Sequence, residues 1–292
     1  MREPADGTSM IDETADEIRE MRTHSSSVVA VKAARALGSL LDDEYPTVEE
    51  YVRGLERNSN ALRRANPSHA SLVTTQREVV ERVRDADPAS VVEAQEVTAA
   101  AIDDVVERVN SGKHEAAEAA ADRIEDGQTI LTHDYSSTVL EAIELAARNG
   151  AHLDVYVTEA RPRHLGRKTA RTLAAIDRVD PTLIVDGASG YYLDDCDEVL
   201  LGMDCIVGET YYNRVGTYPL VATAADVGTP VTVTGSGAKL VEDGFHFEND
   251  FRDPSEVIRE PPEGFEVKNP AYDATPTRLL DAVVTDEGVQ EY

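Results

Sequence analysis

Near residue 125 the hydrophobic pattern of this chain changes period, so no single layer architecture accommodates both halves. From residue 9 to about 125, apolar residues recur at three- and four-residue intervals, as in "VVAVKAARALGSLL" and "VVEAQEVTAAAIDDVVERV", with charges on the opposite face. "TVEE" (47–50) and "SVVE" (90–93) fit the capping box, in which a hydroxyl accepts from a backbone N–H near the helix start and a glutamate reaches back. Nothing strand-like interrupts this stretch. Residues 1–122 are therefore expected to form a helical bundle.

After "EDG" (125–127) strands alternate with helices. "QTILTH" reads as a strand, "SSTVLEAIELAARNG" as a serine-capped helix with Gly150 just past its end, and "HLDVYVTE" as a second strand. The alternation continues through "GRKTARTLAAI", "TLIVD", a short helical turn near 187–194, "EVLLGMD", "TYPLVATAADVG" and "PVTVTG". Parallel neighbours need crossover connections, and helices between strands supply them. The fold class expected is α/β: an N-terminal helical bundle followed by a Rossmann-like domain, residues 123–292, with a mainly parallel sheet.

In open parallel sheets, ligands bind beyond the carboxyl ends of the strands, where the strand order reverses. Here the strands run out into acids: Asp134, Glu159, Asp186 and Asp204. Any one of these suits a helix cap or a solvated loop. Four at one rim are costly unless a ligand, an arginine or a proton compensates.

The chain carries 56 Asp plus Glu against 28 Lys plus Arg, a net charge of −28, with no Trp. Such a field repels nucleic acids and anionic membranes, so neither is expected as a direct partner. Acidity with few lysines suits a protein hydrated in concentrated salt, and the reading is of a halophile cytoplasmic protein. The acidic N-terminus has no apolar leader segment, and no run long enough to span a bilayer occurs. Cys196 and Cys205 lack zinc spacing and are expected to be free thiols. No metal or cofactor is expected.

The second half resembles the family that joins the alpha, beta and delta subunits of translation initiation factor 2B with two sugar-phosphate isomerases, acting on ribose 1,5-bisphosphate and on methylthioribose 1-phosphate. The resemblance is carried by "ILTHDYSSTVLEAI", "VYVTEARPRHLGRKTAR", "EVLLGMDCIVGETYYNRVGT" and "NPAYDATPTRLLDAVVTDEG". It implies a helical domain followed by a Rossmann-like one, a homodimer or higher homo-oligomer, a small phosphorylated ligand, and initiation factor 2 as a further partner to consider.

In the family's isomerases the proton-handling pair is a cysteine after "TH" and an aspartate in "G-A-D". Asp204 matches the second, and Asp134 stands at the place of the first. Two readings follow. If Asp134 and Asp204 face each other, repulsion leaves one protonated beside one ionised, a carboxylate dyad able to isomerise an aldose phosphate. Alternatively the thiol is gone because the chain only binds, as a regulator related to initiation factor 2B. The altered phosphate positions favour the regulator: Arg22 is kept but His24 follows in place of small residues, and Asn66 stands for an arginine, which it cannot replace as a bidentate clamp. Asn213 and Arg214 match the family's "N-K" pair. Arg161 and Lys239 are further candidates for an anion site, with His133 and Ser136 beside Asp134. His133 also suits a packed, hydrogen-bonded core histidine, and "GSGAK" (235–239) an ordinary strand-to-helix turn without the full phosphate-loop pattern.

Overall fold

The computed structural model describes residues 10–20, 26–241, 247–260 and 263–292. They fall into two compact units, one ending at Ser111 and the other running from Gly112 to Tyr292.

The first unit is helical: α1 (Met10–Arg19), α2 (Ser26–Ala36), α3 (Val48–Ala65), α4 (Ala70–Asp85) and most of α5 (Val91–Ala121). The hydroxyl caps of both segments form, and in the second the glutamate also reaches back. The Thr47 hydroxyl accepts from the Glu50 N–H, the Ser90 hydroxyl accepts from the Glu93 N–H, and the Glu93 carboxylate reaches back to the Ala89 N–H. The apolar stripes of these helices converge on Leu37, Tyr51, Leu55, Leu62, Leu72, Val79, Val83 and Val105, all fully buried. Burial of each such side chain favours the fold by about 1.5–3 kcal/mol. The Tyr51 hydroxyl, carried into this core, donates to Thr98 at 2.8 Å, so its polar end is not orphaned.

The second unit alternates as the sequence predicts. It contains β1 (Thr129–His133), α6 (Ser137–Arg148), β2 (Leu153–Thr158), α7 (Gly166–Leu173), β3 (Val179–Ile184), the short α8 (Ser189–Tyr192), and β4 (Glu198–Gly202). Then follow β5 (Cys205–Val207), β6 (Thr210–Arg214), α9 (Thr217–Val227), β7 (Val231–Thr234), β8 (Leu240–Val241), β9 (Tyr272–Pro276), β10 (Ala282–Thr285) and β11 (Gly288–Glu291).

Seven strands form one sheet in the order β11-β10-β7-β4-β1-β2-β3, parallel throughout except for the β10–β11 pair. Alternate residues of the central strands feed two cores. Ile130 and Leu200 pack with Val139, Ile143 and Leu173 on one face, while Leu131, Val199 and Leu201 pack with Leu220, Val221 and Ala224 on the other. Strand β1 therefore has no solvent face, which explains its continuous apolar run. From β1 the chain winds outward through β2 and β3, then returns to place β4 on the other side of β1. The order reverses between β1 and β4.

A smaller sheet, β8-β5-β6-β9, was not foreseen from the sequence. Its β5–β6 hairpin turns through Gly208 at φ 54°, and β6 pairs antiparallel with β9, bringing Arg214 opposite Tyr272. "GSGAK" is an ordinary turn: the Ser236 hydroxyl caps a short 3-10 segment at Gly237–Lys239. No helix of the described residues is long and apolar enough to cross a membrane. Cys196 and Cys205 are free thiols, the second fully buried.

Candidate functional site

The two strands that flank the reversal end in the two aspartates that matter most. Asp134 follows β1 directly, with its backbone in the left-handed region at φ 62°, a conformation that aspartate tolerates better than most residues. Its carbonyl accepts from the buried Thr169 hydroxyl of α7 at 2.6 Å, which fixes the turn. Asp204 follows β4 by two residues, and its segment is pinned from three sides. The Tyr211 hydroxyl donates to the Gly202 carbonyl, the Lys239 ammonium donates to the Met203 carbonyl at 2.7 Å, and the Asp204 N–H donates to the Tyr212 carbonyl at 3.1 Å. Gly202 is required here, because a Cβ at that position would lie 2.2 Å from the Ser136 hydroxyl that caps α6.

Between the two aspartates stands Arg214. Its Nε lies 3.6 Å from an Asp134 carboxylate oxygen and 3.9 Å from one of Asp204, with the Arg214 side chain 16% exposed. The guanidinium also stacks over the Tyr272 ring at 4.8 Å, a consequence of the β6–β9 register. Against the penalty of burial, Tyr272, Asp204 and Asp134 hold it above the ordinary arginine value, so its charge is secure. Asp134 is displaced the other way. Burial pushes its carboxyl above the usual carboxylate range, Arg214 and His133 oppose the shift, and Asp204 adds to it. One cation thus serves two acids, and the more buried acid holds its proton more tightly than a free carboxyl does.

The other two acids of the rim are used by the protein. Asp186 accepts from the backbone N–H groups of Ala160 and Arg161, each at 2.7 Å, and Glu159 pairs with Arg167 at 2.7 Å. They shape the turn between β2 and α7. The cost anticipated for four gathered carboxylates is therefore met by backbone amides and Arg167 for two of them and by Arg214 for the other two.

That turn is one wall of a cleft of about 340 Å³, whose lining includes Asp134, Arg161, Arg163, Arg214, Arg252 and Glu256. As the cleft stands, its side chains leave room for roughly one water. Arg163 is half-buried, and burial together with Arg252 and Arg214 lowers its basicity. Arg252 binds Glu256 through Nε at 3.0 and 3.1 Å and through a terminal nitrogen at 2.7 Å. The Asn269 amide donates to the same carboxylate at 3.1 Å.

Of the residues singled out in the sequence, Asp134 and Arg214 line this cleft together with Arg161, whose side chain donates to the Val257 carbonyl at 3.2 Å, and Asp204 stands behind Arg214, outside the lining. Four others, expected to touch a ligand, have their polar atoms engaged by the protein. His133 meets the Thr158 hydroxyl through Nδ1 at 2.6 Å and the Val215 carbonyl through Nε2 at 2.9 Å. The carbonyl can only accept, so Nε2 carries the proton. Gly216, at φ 103°, lies so close to this ring that a Cβ would stand 2.7 Å from it. Ser136 caps α6 through the Val139 N–H, and Asn213 donates to Thr217 at 3.1 Å. Lys239, 6% exposed, is held at Met203, and burial lowers its basicity against the pull of Asp204. These four position the strand ends and the turn that carries Arg214. Asn66 caps the C-terminus of α3 in the first unit, and Arg22 and His24 lie outside the described residues.

Sequence reasoning missed Arg163, Arg252, Glu256 and Asn269. Arg163 was available as the second arginine of "RPR", but Arg252 and Glu256 sit in an irregular stretch whose packing no period encodes. Among the described residues no group of three or more His, Cys, Asp and Glu side chains could hold a metal ion.

Comparison with known proteins agrees with this architecture. The model of the initiation factor 2 subunit family matches residues 22–291. A ribose 1,5-bisphosphate isomerase of Haloferax volcanii is 32% identical over 94% of this chain and 87% of its own length. Another, of Haloterrigena turkmenica, is 33% identical over 94% of this chain and 88% of its own. In three dimensions, a translation initiation factor eIF-2B of Pyrococcus horikoshii superposes with a TM-score of 0.82 over 96% of both chains at 23% identity, which speaks for the fold. With a family match that spans both units and relatives similar along nearly their whole length, this chain belongs to the initiation factor 2 subunit family.

Proposed function

We propose that this chain is an aldose–ketose isomerase acting on a phosphorylated pentose, with Asp134 and Asp204 as its acid and base. The observation that carries the reading is the pair of aspartates at the reversal point of the sheet, held at one guanidinium, with burial favouring the protonated form of one of them. The full-length similarity to ribose 1,5-bisphosphate isomerases supports turnover over binding alone, and makes ribose 1,5-bisphosphate the first substrate to test.

Isomerisation moves one hydrogen from C2 to C1 and leaves the overall oxidation state unchanged. Protonated Asp134 gives its proton to the ring oxygen as the bond from C1 to that oxygen breaks. Asp204, as the base, takes the proton of the C2 hydroxyl, and the hydrogen on C2 passes with its electron pair to C1, so that C2 becomes the carbonyl. Asp204 then returns its proton to Asp134 through solvent. An acid and a base kept in opposite protonation states at one pH are what this step requires. Arg214 holds the two carboxylates in register and supplies a fixed cation beside the developing charge.

The test is conversion of ribose 1,5-bisphosphate in molar KCl, followed by NMR with carbon-2 deuterated substrate. The expected result is a ketose product that retains the deuterium at C1, with conversion abolished in Asp134→Asn and in Asp204→Asn. Binding seen by thermal shift without any conversion would sink the isomerase and favour a regulator that only senses the ligand.

A further inference from the structure

The cleft beside the dyad contradicts the charge of the rest of the molecule. In a chain with a net charge of −28, its lining gathers four arginines (161, 163, 214 and 252) against two carboxylates, Asp134 and Glu256. Asp134 pairs with Arg214, so Glu256 is left among the remaining guanidinium groups. It receives three contacts from Arg252 at 2.7 to 3.1 Å and one from the Asn269 amide at 3.1 Å, and it lies within the electrostatic reach of Arg163. Burial raises the carboxyl, but Arg252, Asn269 and Arg163 outweigh it and keep Glu256 below the ordinary range, that is, firmly anionic. An anion gripped by a planar fork, with an amide donor on one side and a second guanidinium nearby, is the arrangement in which arginines bind phosphate.

We propose that Arg163 and Arg252, with the Asn269 amide, form a phosphate subsite of this cleft, and that Glu256 is an internal anion that occupies it until a phosphate group displaces it. The assignment deepens the isomerase reading, on which it rests for the identity of the cleft as the substrate site. It also explains the small free space, since the cleft is filled by its own carboxylate and its counter-ions. Arg252, Glu256 and Asn269 all belong to the segment between β8 and β9, with Glu256 at the end of a short 3-10 turn, Pro254–Glu256. Displacing Glu256 therefore releases its contacts with Arg252 and Asn269 and replaces them with contacts to the ligand.

The experiment is a titration of the full chain with inorganic phosphate in molar KCl, read by calorimetry and by the melting temperature. Wild type is expected to bind phosphate, and Glu256→Gln, which removes the nearer of the two carboxylates on Arg252 (Asp250 lies 3.6 Å from its other terminal nitrogen), to bind it roughly tenfold more tightly. Arg163→Met should weaken binding by about tenfold or more. Arg252→Lys keeps one charge and one contact to Glu256 but not the fork. It should melt like wild type and bind phosphate about tenfold more weakly, which separates lost recognition from lost folding. Phosphate binding that is equal or weaker in Glu256→Gln would make the Arg252–Glu256 pair a structural brace and overturn the proposal. So would phosphate binding indifferent to Arg163, or none in either wild type or Glu256→Gln. Inorganic phosphate undergoes no turnover, so the titration is decided independently of the isomerase test. Phosphate bound with these variant effects but no sugar converted retains the subsite and removes the enzyme.

Discussion

Replacing Asp134 by asparagine should make the protein more stable and stop it working. Asp134 is 6% exposed and has as its countercharge one guanidinium nitrogen at 3.6 Å, which it shares with Asp204 at 3.9 Å. At an effective dielectric near 20, attraction at such a distance is about 4 kcal/mol, while desolvating a carboxylate costs several kcal/mol. The shared partner and the like charge of Asp204 tip the balance against the ionised form, in agreement with the raised affinity for its proton. An amide of the same shape removes the charge, so Asp134→Asn is expected to stabilise the second unit by about 1–2 kcal/mol, or roughly 2–8 °C in Tm. The sign with pH follows from linkage. A carboxyl whose folded pKa is raised binds its proton more tightly in the folded state, so its contribution is most favourable at low pH and is lost as pH rises through the folded value. The gap between Asp134→Asn and wild type should therefore be small near pH 4, widen upward, and level off once Asp134 is ionised in both states. Chemical denaturation across this range, at constant KCl, measures it. If Asp134→Asn is less stable than wild type at neutral pH, the carboxylate is a net-favourable structural ion, and it is not the strained acid that the mechanism needs.

Arg214→Met removes the cation that Asp134 and Asp204 share and should cost about 3–5 kcal/mol by the same denaturation measurement. Combined with Asp134→Asn, much of that loss should be recovered, because the two sites are coupled and not additive. Asp186→Ala removes the acceptor of the Ala160 and Arg161 N–H groups and should cost about 1–3 kcal/mol, with KM raised more than kcat, since the turn it shapes carries Arg161 and Arg163.

What the sequence revealed and what it hid divide along physical lines. The switch of hydrophobic period near residue 125 makes the helical and α/β halves legible, because patterns of 3.6 and 2 residues cannot substitute for one another. The acids at the strand ends were legible for the same reason: once the strands are placed, chain direction dictates which residues emerge at one rim. Their division of labour was not. Whether an aspartate holds a turn, as Asp186 does, or waits beside an arginine, as Asp134 does, depends on contacts between residues tens of positions apart. Likewise β5 and β8 are too brief and β6 and β9 too polar to announce themselves, yet the β6–β9 pairing brings Arg214 to Tyr272. His133 shows the converse. The sequence left it between a ligand contact and a packed, hydrogen-bonded core histidine, and its two hydrogen bonds, to Thr158 and to the Val215 carbonyl, are those of the second.

The contrast between a surface of −28 and a cleft lined by four arginines bears on how an anionic substrate reaches the site at all. At low ionic strength, where the Debye length is about 30 Å at 0.01 M, the whole acidic surface acts on an approaching phosphate and opposes it. In 1 M salt the length shrinks to about 3 Å, and only groups in near contact are felt, which are the arginines. Salt should then assist encounter while leaving the short, partly buried contacts of the cleft largely intact. For ordinary electrostatic steering the order is reversed, and salt weakens capture of a charged ligand. The expected outcome is a KM for a phosphorylated substrate that falls as KCl is raised towards molar concentration, over the range in which circular dichroism shows the chain fully folded. A KM that rises steadily over that range would mean that the arginines reach out to the ligand through solvent, and that the acidic surface is too distant from the cleft mouth to oppose it.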